Sequence, residues 1–273
     1  MGNLKAFYIA LENPQGVFLA GQTINGKLVV ELDAEMKVRE IKVRFKGEAS
    51  VYFTIEREEH DDYEEYFKTT ILLFGKGAGM GDDNRLPPGR HDFPFSFQLP
   101  QNLPSSFEEN PGFIRYTIKG TIDRPWKFDL TTKIAFTVVA MLDLNTRPNA
   151  ALKDGMESTY YLCCLCCKSG PIETSLMVDR VGYVPGEAIN FIAEIENMSR
   201  RVCKMDLRLW MYVYFHADET YTSRIKEVGR VIHPDIQPGE TEIWSGDRLI
   251  IPPIPPSSFN SCRIIDIKYS LEV

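Results

Sequence analysis

The chain has 273 residues, of which 44% are apolar and 25% charged, and 31 lysines and arginines against 38 aspartates and glutamates give a formal net charge of −7. This composition is typical of a folded globular chain and excludes an intrinsically disordered one, while the length predicts about two domains. The acidic balance argues against a general nucleic-acid binder.

The sequence predicts neither a targeting signal nor a disulfide framework. No apolar run approaches the roughly 20 residues of a membrane-spanning helix. A charge at Lys5 interrupts any signal-peptide core. Four of the six cysteines are crowded together, at Cys163, Cys164, Cys166 and Cys167, unlike a spaced disulfide framework. We therefore expect a cytosolic, reducing environment.

Apolar and polar residues alternate in segment after segment, as they do in strands with one buried face. In chain order, the clearest segments are Leu28–Leu32, Ile41–Lys46, Phe93–Leu99, Ile114–Lys119 and Leu207–Val213. Turn signals lie between the strands, including Asn13-Pro14, Asn25-Gly26, Pro87-Pro88-Gly89, Asn110-Pro111-Gly112, Val184-Pro185-Gly186 and Gln237-Pro238-Gly239. No segment predicts a helix of ordinary length, so the pattern predicts an all-β fold built from β-sandwiches.

The two halves of the chain resemble each other. Phe18–Asn25 matches Tyr183–Asn190, and each precedes a predicted strand. A Pro-Gly turn followed by a strand comes next in both halves, and a Ser-Ser-Phe triplet, at Ser105 and at Ser257, precedes a further strand. Three matches in the same order predict two related sandwiches in tandem. We place the domains at residues 1–145 and 158–273, joined by a linker at residues 146–157.

The second copy of the repeat is shorter than the first. In the first copy the strand beginning at Ile114 is followed by a last strand, Lys133–Val139, whereas Val273 follows directly on the equivalent strand of the second copy. An unpaired strand edge invites aggregation. We therefore expect a truncated chain that lacks the last strand or strands of the second sandwich and any tail beyond them.

Several motifs resemble the arrestin-domain-containing proteins, the α-arrestins, more closely than the visual and β-arrestins. They are Asp123–Trp126, Val139–Asn145, Leu162–Pro171, Gly182–Glu187, Ala193–Asn197 and Tyr269–Leu271. The resemblance covers essentially the whole chain. It implies two arrestin-like, immunoglobulin-like β-sandwiches in a cytoplasmic adaptor that is peripheral at the plasma membrane and endosomes, with no cofactor.

The resemblance also implies a function. Adaptors of this family bind the cytosolic parts of membrane receptors or transporters and recruit a HECT-type ubiquitin ligase through Pro-Pro-x-Tyr motifs, which leads to ubiquitin-dependent endocytosis and protein transport. None of the three Pro-Pro pairs, at Pro87, Pro252 and Pro255, continues as Pro-Pro-x-Tyr. We therefore expect ligase recruitment through a tail absent from this chain. The alternative is a β-arrestin-like scaffold that regulates phosphorylated receptors independently of a ubiquitin ligase.

A thioredoxin disulfide is not expected. The thioredoxin-binding member of the family carries a cysteine three positions before the tryptophan of the second sandwich, and Thr241 holds that place before Trp244. No Gly-x-Ser-x-Gly or His-Glu-x-x-His motif occurs in the sequence either, so no feature favours an enzyme.

Three cations on one predicted strand form the first candidate site. Because strand side chains alternate, Lys42, Arg44 and Lys46 share the outer face of the segment Ile41–Lys46. This row could receive anionic lipid headgroups or an acidic or phosphorylated cargo tail. The plainer alternative is a solvated strand face whose cations have cross-strand carboxylate partners.

The cysteine cluster at Cys163, Cys164, Cys166 and Cys167 is the second candidate site. S-acylation there could anchor an adaptor to a membrane. Zinc would need a second Cys-x-x-Cys pair or a histidine partner, and we predict no metal site. Buried or partly buried thiols in a strand are the plainer alternative.

Two further segments are conspicuous by composition. Glu56–Glu65 carries seven acids and one arginine, a local charge of −6, and is predicted to be a solvated hairpin tip. Gly75–Gly81 lacks the Gly-Lys-[Ser/Thr] ending of a phosphate-binding loop and is predicted to be a flexible connection between strands.

Overall fold

The computed structural model describes residues 4–75, 84–164, 167–259 and 261–273. Eighteen strands and two short 3-10 helices, with no α-helix, make up the secondary structure of these residues, which confirms the all-β prediction. Beyond Gly75, the predicted flexible connection lies outside the described residues. By its contacts the chain divides into two compact units. One comprises residues 1–141, 214–222 and 259–266, and the other comprises residues 142–213, 223–258 and 267–273.

Eleven strands form the first part of the chain. They are β1 Leu4–Leu11, β2 Val17–Leu19, β3 Thr23–Leu32, β4 Met36–Lys37, β5 Glu40–Ile55, β6 Glu58–Gly75, β7 Arg85–Leu86, β8 Gly89–Gln98, β9 Phe107–Glu109, β10 Gly112–Asp123 and β11 Leu130–Val139. One main sheet has the order β1-β3-β8, the other has the order β2-β11-β10-β5-β6 with β9 beside β10, and β4 pairs with β7 in a short two-stranded sheet. Neighbouring strands are antiparallel except for the parallel pair β2 and β11.

Side chains from the two sheets meet in a shared core. The Phe45 ring of β5 stacks on Phe97 of β8, with 4.5 Å between the ring centroids. Gly120 of β10 allows a similar approach, because a Cβ atom there would lie 2.6 Å from Cδ1 of Leu28 in β3. Tyr116 of β10 is fully buried, and its hydroxyl donates to the Pro104 carbonyl at 2.6 Å. Burial of each such aromatic side chain contributes roughly 1.5–3 kcal/mol to folding.

The turn predicted at Asn25-Gly26 is wrong. Both residues lie inside β3, where Gly26 is paired with Leu11 of β1 and Phe95 of β8. A Cβ atom on Gly26 would lie 2.7 Å from the Ala10 carbonyl oxygen and 2.8 Å from Cζ of Phe95. Glycine is therefore required here by close packing, and its conformational freedom is not used.

The acidic segment Glu56–Glu65 was predicted to be a hairpin tip, but all of it except Glu56 and Arg57 belongs to a strand. Ile55 pairs with Glu58, so that only Glu56 and Arg57 form the turn, with φ of 50° and 75°. This left-handed conformation at both positions matches the twist of a two-residue hairpin. The remaining acids lie in β6, because that strand pairs along its length with β5, whose alternate residues are buried in the core.

Seven strands follow in the rest of the chain. They are β12 Asp154–Cys164, β13 Cys167–Val178, β14 Ala188–Asn197, β15 Asp206–Ala217, β16 Thr220–Ile232, β17 Thr241–Ile250 and β18 Ile265–Glu272. Their sheets have the orders β12-β13-β14-β17 and β16-β15-β18, as expected of a second sandwich. The described partner of β18 is β15, so β18 lies at a sheet edge.

The linker predicted at residues 146–157 contains regular structure. The 3-10 helices Leu144–Thr146 and Pro148–Ala151 overlap its first half. Its last four residues already belong to β12, because Asp154 and its successors form an antiparallel ladder with β13. The linker is therefore shorter than the sequence pattern indicated.

A buried asparagine organises one end of the second core. The Asn197 amide is 0% exposed and donates to the carbonyls of Arg201, Ile236 and Gln237 at 2.8, 3.2 and 3.1 Å. Its oxygen accepts from both the backbone N–H and the hydroxyl of Ser199, at 3.1 and 2.6 Å. One side chain thus satisfies polar groups from two chain segments, residues 199–201 and 236–237.

Candidate functional site

The outer face of β5 carries the cations predicted from alternation. Ile41, Val43 and Phe45 are fully buried, whereas Arg44 is exposed and Lys42 and Lys46 are half-buried on the opposite side. The predicted alternation is therefore confirmed. It brings the three cations onto one face of the six-stranded sheet.

Two of these cations already have carboxylate partners. Lys42 forms an ion pair with Glu40, and Lys46 forms one with Glu48. Both partners lie two residues away on β5 itself, whereas the plainer alternative placed them on a neighbouring strand. The hydrogen bond to Glu48 raises the pKa of Lys46. Lys42 and Lys46 are therefore partly neutralised by their own strand.

Arg44 differs, because the residues beside it are cationic. Lys119 of β10 lies directly opposite Arg44, and Lys133 of β11 lies directly opposite Lys119. Among the described residues no carboxylate lies within 4.0 Å of these three side chains, and Arg44 Nε has a polar contact to Thr70 Oγ1 at 3.5 Å. We call Arg44, Lys119 and Lys133 the cationic row.

The cationic row runs across the strands and not along one of them. Directly opposed residues in antiparallel strands have Cβ atoms about 5 Å apart, so the three charges lie within reach of one anionic group or one short acidic segment. Like charges in these positions repel each other and destabilise the sheet. The arrangement can bind an anion, because an anion between the side chains would relieve that repulsion.

Replacing Lys119 with glutamate tests this arrangement. The change converts two like-charge pairs, with Arg44 and Lys133, into opposite-charge pairs, so we expect the free energy of unfolding to rise by about 1 kcal/mol. Urea denaturation measures it. Lys68 is the matched control, because it lies opposite Lys46 but both have carboxylates nearby, at Glu65 and Glu48. If Lys68→Glu raised the free energy of unfolding by the same amount, the cationic row would not have a stronger repulsion than other strand pairs.

Sequence reasoning missed Lys119 and Lys133. Each belongs to a segment that was predicted as a strand, and each lies beside an apolar residue of the opposite face, the buried Ile118 or the half-buried Ile134. What joins them to Arg44 is the pairing register of strands that are distant in the chain. A signal existed in the order of β10 and β11, because strands joined by a short connection commonly pair, and their pairing brings Lys119 opposite Lys133.

The acidic end of the same face contrasts with the cationic row. Asp61 of β6 lies opposite Tyr52, and Glu65 lies opposite Glu48. Glu64 points away from this face and is largely buried, and its carboxylate accepts from Arg263 Nε at 2.8 Å within the same compact unit. At least one carboxylate of the acidic segment, that of Glu64, therefore already has a partner within the protein.

The cysteine cluster lies in the hairpin between β12 and β13. Cys163 and Cys164 end β12, Cys167 begins β13, and Cys166 lies outside the described residues. The side chains of the first three are also outside the described part. S-acylation of the cluster stays a prediction. No group of three His, Cys, Asp or Glu side chains in the described part of the chain has the arrangement of a metal site.

A membrane crossing by a helix is not found in the described part of the chain, where no helix combines the necessary length and apolarity.

Comparison with known proteins covers both sandwiches. Residues 7–145 match the family model of the arrestin (or S-antigen) N-terminal domain, and residues 168–273 match that of the C-terminal domain. Over its whole length the chain is 33% identical to arrestin domain-containing protein 17 of Caenorhabditis elegans and 31% identical to arrestin domain-containing protein 4 of mouse, covering 68% of each. It is 26% identical to arrestin domain-containing protein 1 of rat, of which it covers 61%. The chain therefore belongs to the arrestin family and is of the α-arrestin type.

Proposed function

We propose that this chain is an adaptor that binds the cytosolic parts of membrane receptors or transporters and links them to ubiquitin-dependent endocytosis and protein transport. Its relatives support an adaptor or scaffold role, and arrestins are in general scaffolds without catalytic activity. The cationic row is the proposed cargo-binding site, because its three charges have no carboxylate partners among the described residues.

The ligand that fits the cationic row is an acidic segment of the cargo. Carboxylates or a phosphate would accept charge-assisted hydrogen bonds from Arg44, Lys119 and Lys133. Lys42 and Lys46, whose partners Glu40 and Glu48 compete with a ligand, would contribute at longer range. The ligand is held by electrostatic attraction, so its affinity should fall as salt rises.

We propose that ligase recruitment depends on residues outside this chain. The sequence contains no Pro-Pro-x-Tyr, and the relatives extend beyond the matched part, since the chain covers 61–68% of their lengths. We propose that a HECT-type ligase binds such a segment while the sandwiches bind cargo at the plasma membrane and endosomes. S-acylation of Cys163, Cys164, Cys166 and Cys167 would add a membrane anchor.

A paired binding measurement tests the cargo site. The chain is titrated with an acidic cytosolic tail and with the same tail whose acids are replaced by amides, at 50 and at 300 mM salt. We expect at least about tenfold weaker binding of the amide tail at low salt and convergence of the two at high salt, because the Debye length shortens. Equal affinities at low salt would contradict the proposal.

The alternative function is a β-arrestin-like scaffold of phosphorylated receptors that works without a ubiquitin ligase. A phosphate carries up to two negative charges and would suit the three cations of the cationic row. The same titration with a phosphorylated tail separates the two functions. Binding that depends strictly on phosphate would favour the scaffold, whereas binding of acidic tails without phosphate favours the adaptor.

A further inference from the structure

The loop between β10 and β11 exposes two aromatic side chains. Ile122 pairs with Leu130, and the loop between them carries Trp126 and Phe128, which are 93% and 94% exposed. No other large apolar side chain in the described part of the chain is as exposed. Aromatic side chains of this size bury roughly 150–250 Å² when they find a partner. Such a pair in water therefore calls for an explanation.

This exposure is built into the loop. Pro125 is buried, and the Arg124 guanidinium donates to the Phe128 carbonyl from Nε at 3.1 Å and from Nη2 at 2.5 Å. The Lys127 N–H donates to the Arg124 carbonyl at 3.4 Å. Trp126 has a φ of 58°, a left-handed conformation that is uncommon for bulky residues and costs backbone strain. The loop thus holds both rings outward at the cost of backbone strain.

The charges of the loop itself cancel, and the positive charge near it comes from the cationic row. Arg124 and Lys127 are balanced within the loop by Asp123 and Asp129, and Asp123 is engaged by Arg39, with 3.6 Å between Nη1 and Oδ1. The cationic row follows on the outer face of the same sheet. Its nearest members lie three or four residues from the hairpin loop, roughly 10–13 Å along the strands. Aromatic rings beside a cationic surface are typical of proteins that lie on membranes.

We propose that the loop docks on a lipid bilayer, with Trp126 and Phe128 entering the headgroup region and the cationic row facing anionic lipids. Both rings are almost fully exposed, which suits a deformable, planar partner. Tryptophan prefers the membrane interface because its ring is apolar and its N–H can remain hydrated. This membrane contact is independent of S-acylation and needs no cargo protein.

Vesicle binding tests the proposal. The whole chain is mixed with vesicles of phosphatidylcholine alone or with 30% phosphatidylserine, and binding is followed by sedimentation and by tryptophan fluorescence. Trp126 is the exposed fluorophore, since Trp244 is 3% exposed and Trp210 is half-buried. We expect a blue shift with anionic vesicles and about tenfold weaker partitioning for each of Trp126→Ala and Phe128→Ala. The shift itself should vanish in Trp126→Ala.

The controls separate the loop from the charges. Ile232 and Ile250 are each 67% exposed, and alanine at both should leave vesicle binding unchanged. Lys119→Gln with Lys133→Gln should weaken binding only to vesicles that contain phosphatidylserine.

Failure of the unmodified chain to bind anionic vesicles at 50 mM salt would overturn the proposal. So would a Trp126→Ala variant that binds vesicles normally but loses affinity for a cargo tail in solution, because the loop would then contact protein. Because the vesicles contain no cargo, the result is independent of the proposed adaptor function.

Discussion

Replacing Asn197 with alanine is expected to lower the free energy of unfolding by about 4 kcal/mol, a large fraction of the stability of a typical domain. The change removes a side chain that is 0% exposed together with its hydrogen bonds to the carbonyls of Arg201, Ile236 and Gln237, and it leaves the buried N–H of Ser199 without its acceptor and a small cavity in place of the amide. Each lost hydrogen bond costs about 1 kcal/mol and the unsatisfied buried donor about 1–3 kcal/mol, whereas the three carbonyls keep other donors, the hydroxyl of Ser199 and the N–H groups of Cys203 and Glu240, which limits the sum. Urea denaturation followed by circular dichroism measures the loss.

Two variants show whether hydrogen bonding is responsible. Asn197→Asp keeps the shape but turns a carboxylate oxygen toward carbonyl oxygens, so it should destabilise at least as much as alanine at neutral pH. Asn190→Ala is the control, because that exposed amide donates only to Asp179, at 3.1 Å, and should cost less than about 1 kcal/mol. A loss for Asn197→Ala no greater than that of the control would show that the network is dispensable.

Neutralising the cationic row is expected to weaken binding of an acidic cargo tail by about 100-fold. The variant combines Arg44→Gln, Lys119→Gln and Lys133→Gln. Each cation facing an anionic partner contributes about 1 kcal/mol, and the three together correspond to slightly more than two powers of ten. The salt dependence should flatten at the same time, since the charges that create it are gone. Isothermal titration at 50 and 300 mM salt measures both effects.

The matched control carries the same change in net charge. Lys5, Lys27 and Arg90 lie on the other sheet of the first sandwich and are ion-paired, at 2.6, 2.7 and 2.9 Å, with Glu31 or Asp92. Glutamine at these three positions should change the affinity by less than about threefold, because screened charges act weakly beyond a Debye length. Equal losses for the two triple variants would mean that the tail responds to overall charge and has no site on the cationic row.

The fold was predictable because burial imposes a clear period on the sequence. In β5 and β15 every second residue is buried, so alternation alone identifies the strands and the faces of Lys42, Arg44 and Lys46. The Asn25-Gly26 error has the opposite origin. Glycine is common both in turns and where backbones pack closely, and only the neighbours of Gly26, which come from β1 and β8, distinguish the two.

The candidate sites were less predictable, because they depend on pairing between distant segments. Lys119 becomes part of a site only through its register with Arg44, which no local pattern encodes. The loop of Trp126 and Phe128 was conspicuous as a motif, but a sequence does not distinguish an aromatic residue in a core from one held in water. That distinction comes from the buried Pro125 and the hydrogen bonds of Arg124.

The long hairpin of β5 and β6 gives the first sandwich an electric polarity. Arg44 lies near the end that carries the aromatic loop, whereas Asp61 lies opposite Tyr52, eight residues farther along the strand and thus roughly 26 Å away. In the field of a negatively charged body this separation produces a torque that turns the positive end forward before contact. Productive orientation would then be selected during diffusion, and this steering should disappear once the salt concentration makes the screening length much shorter than the charge separation.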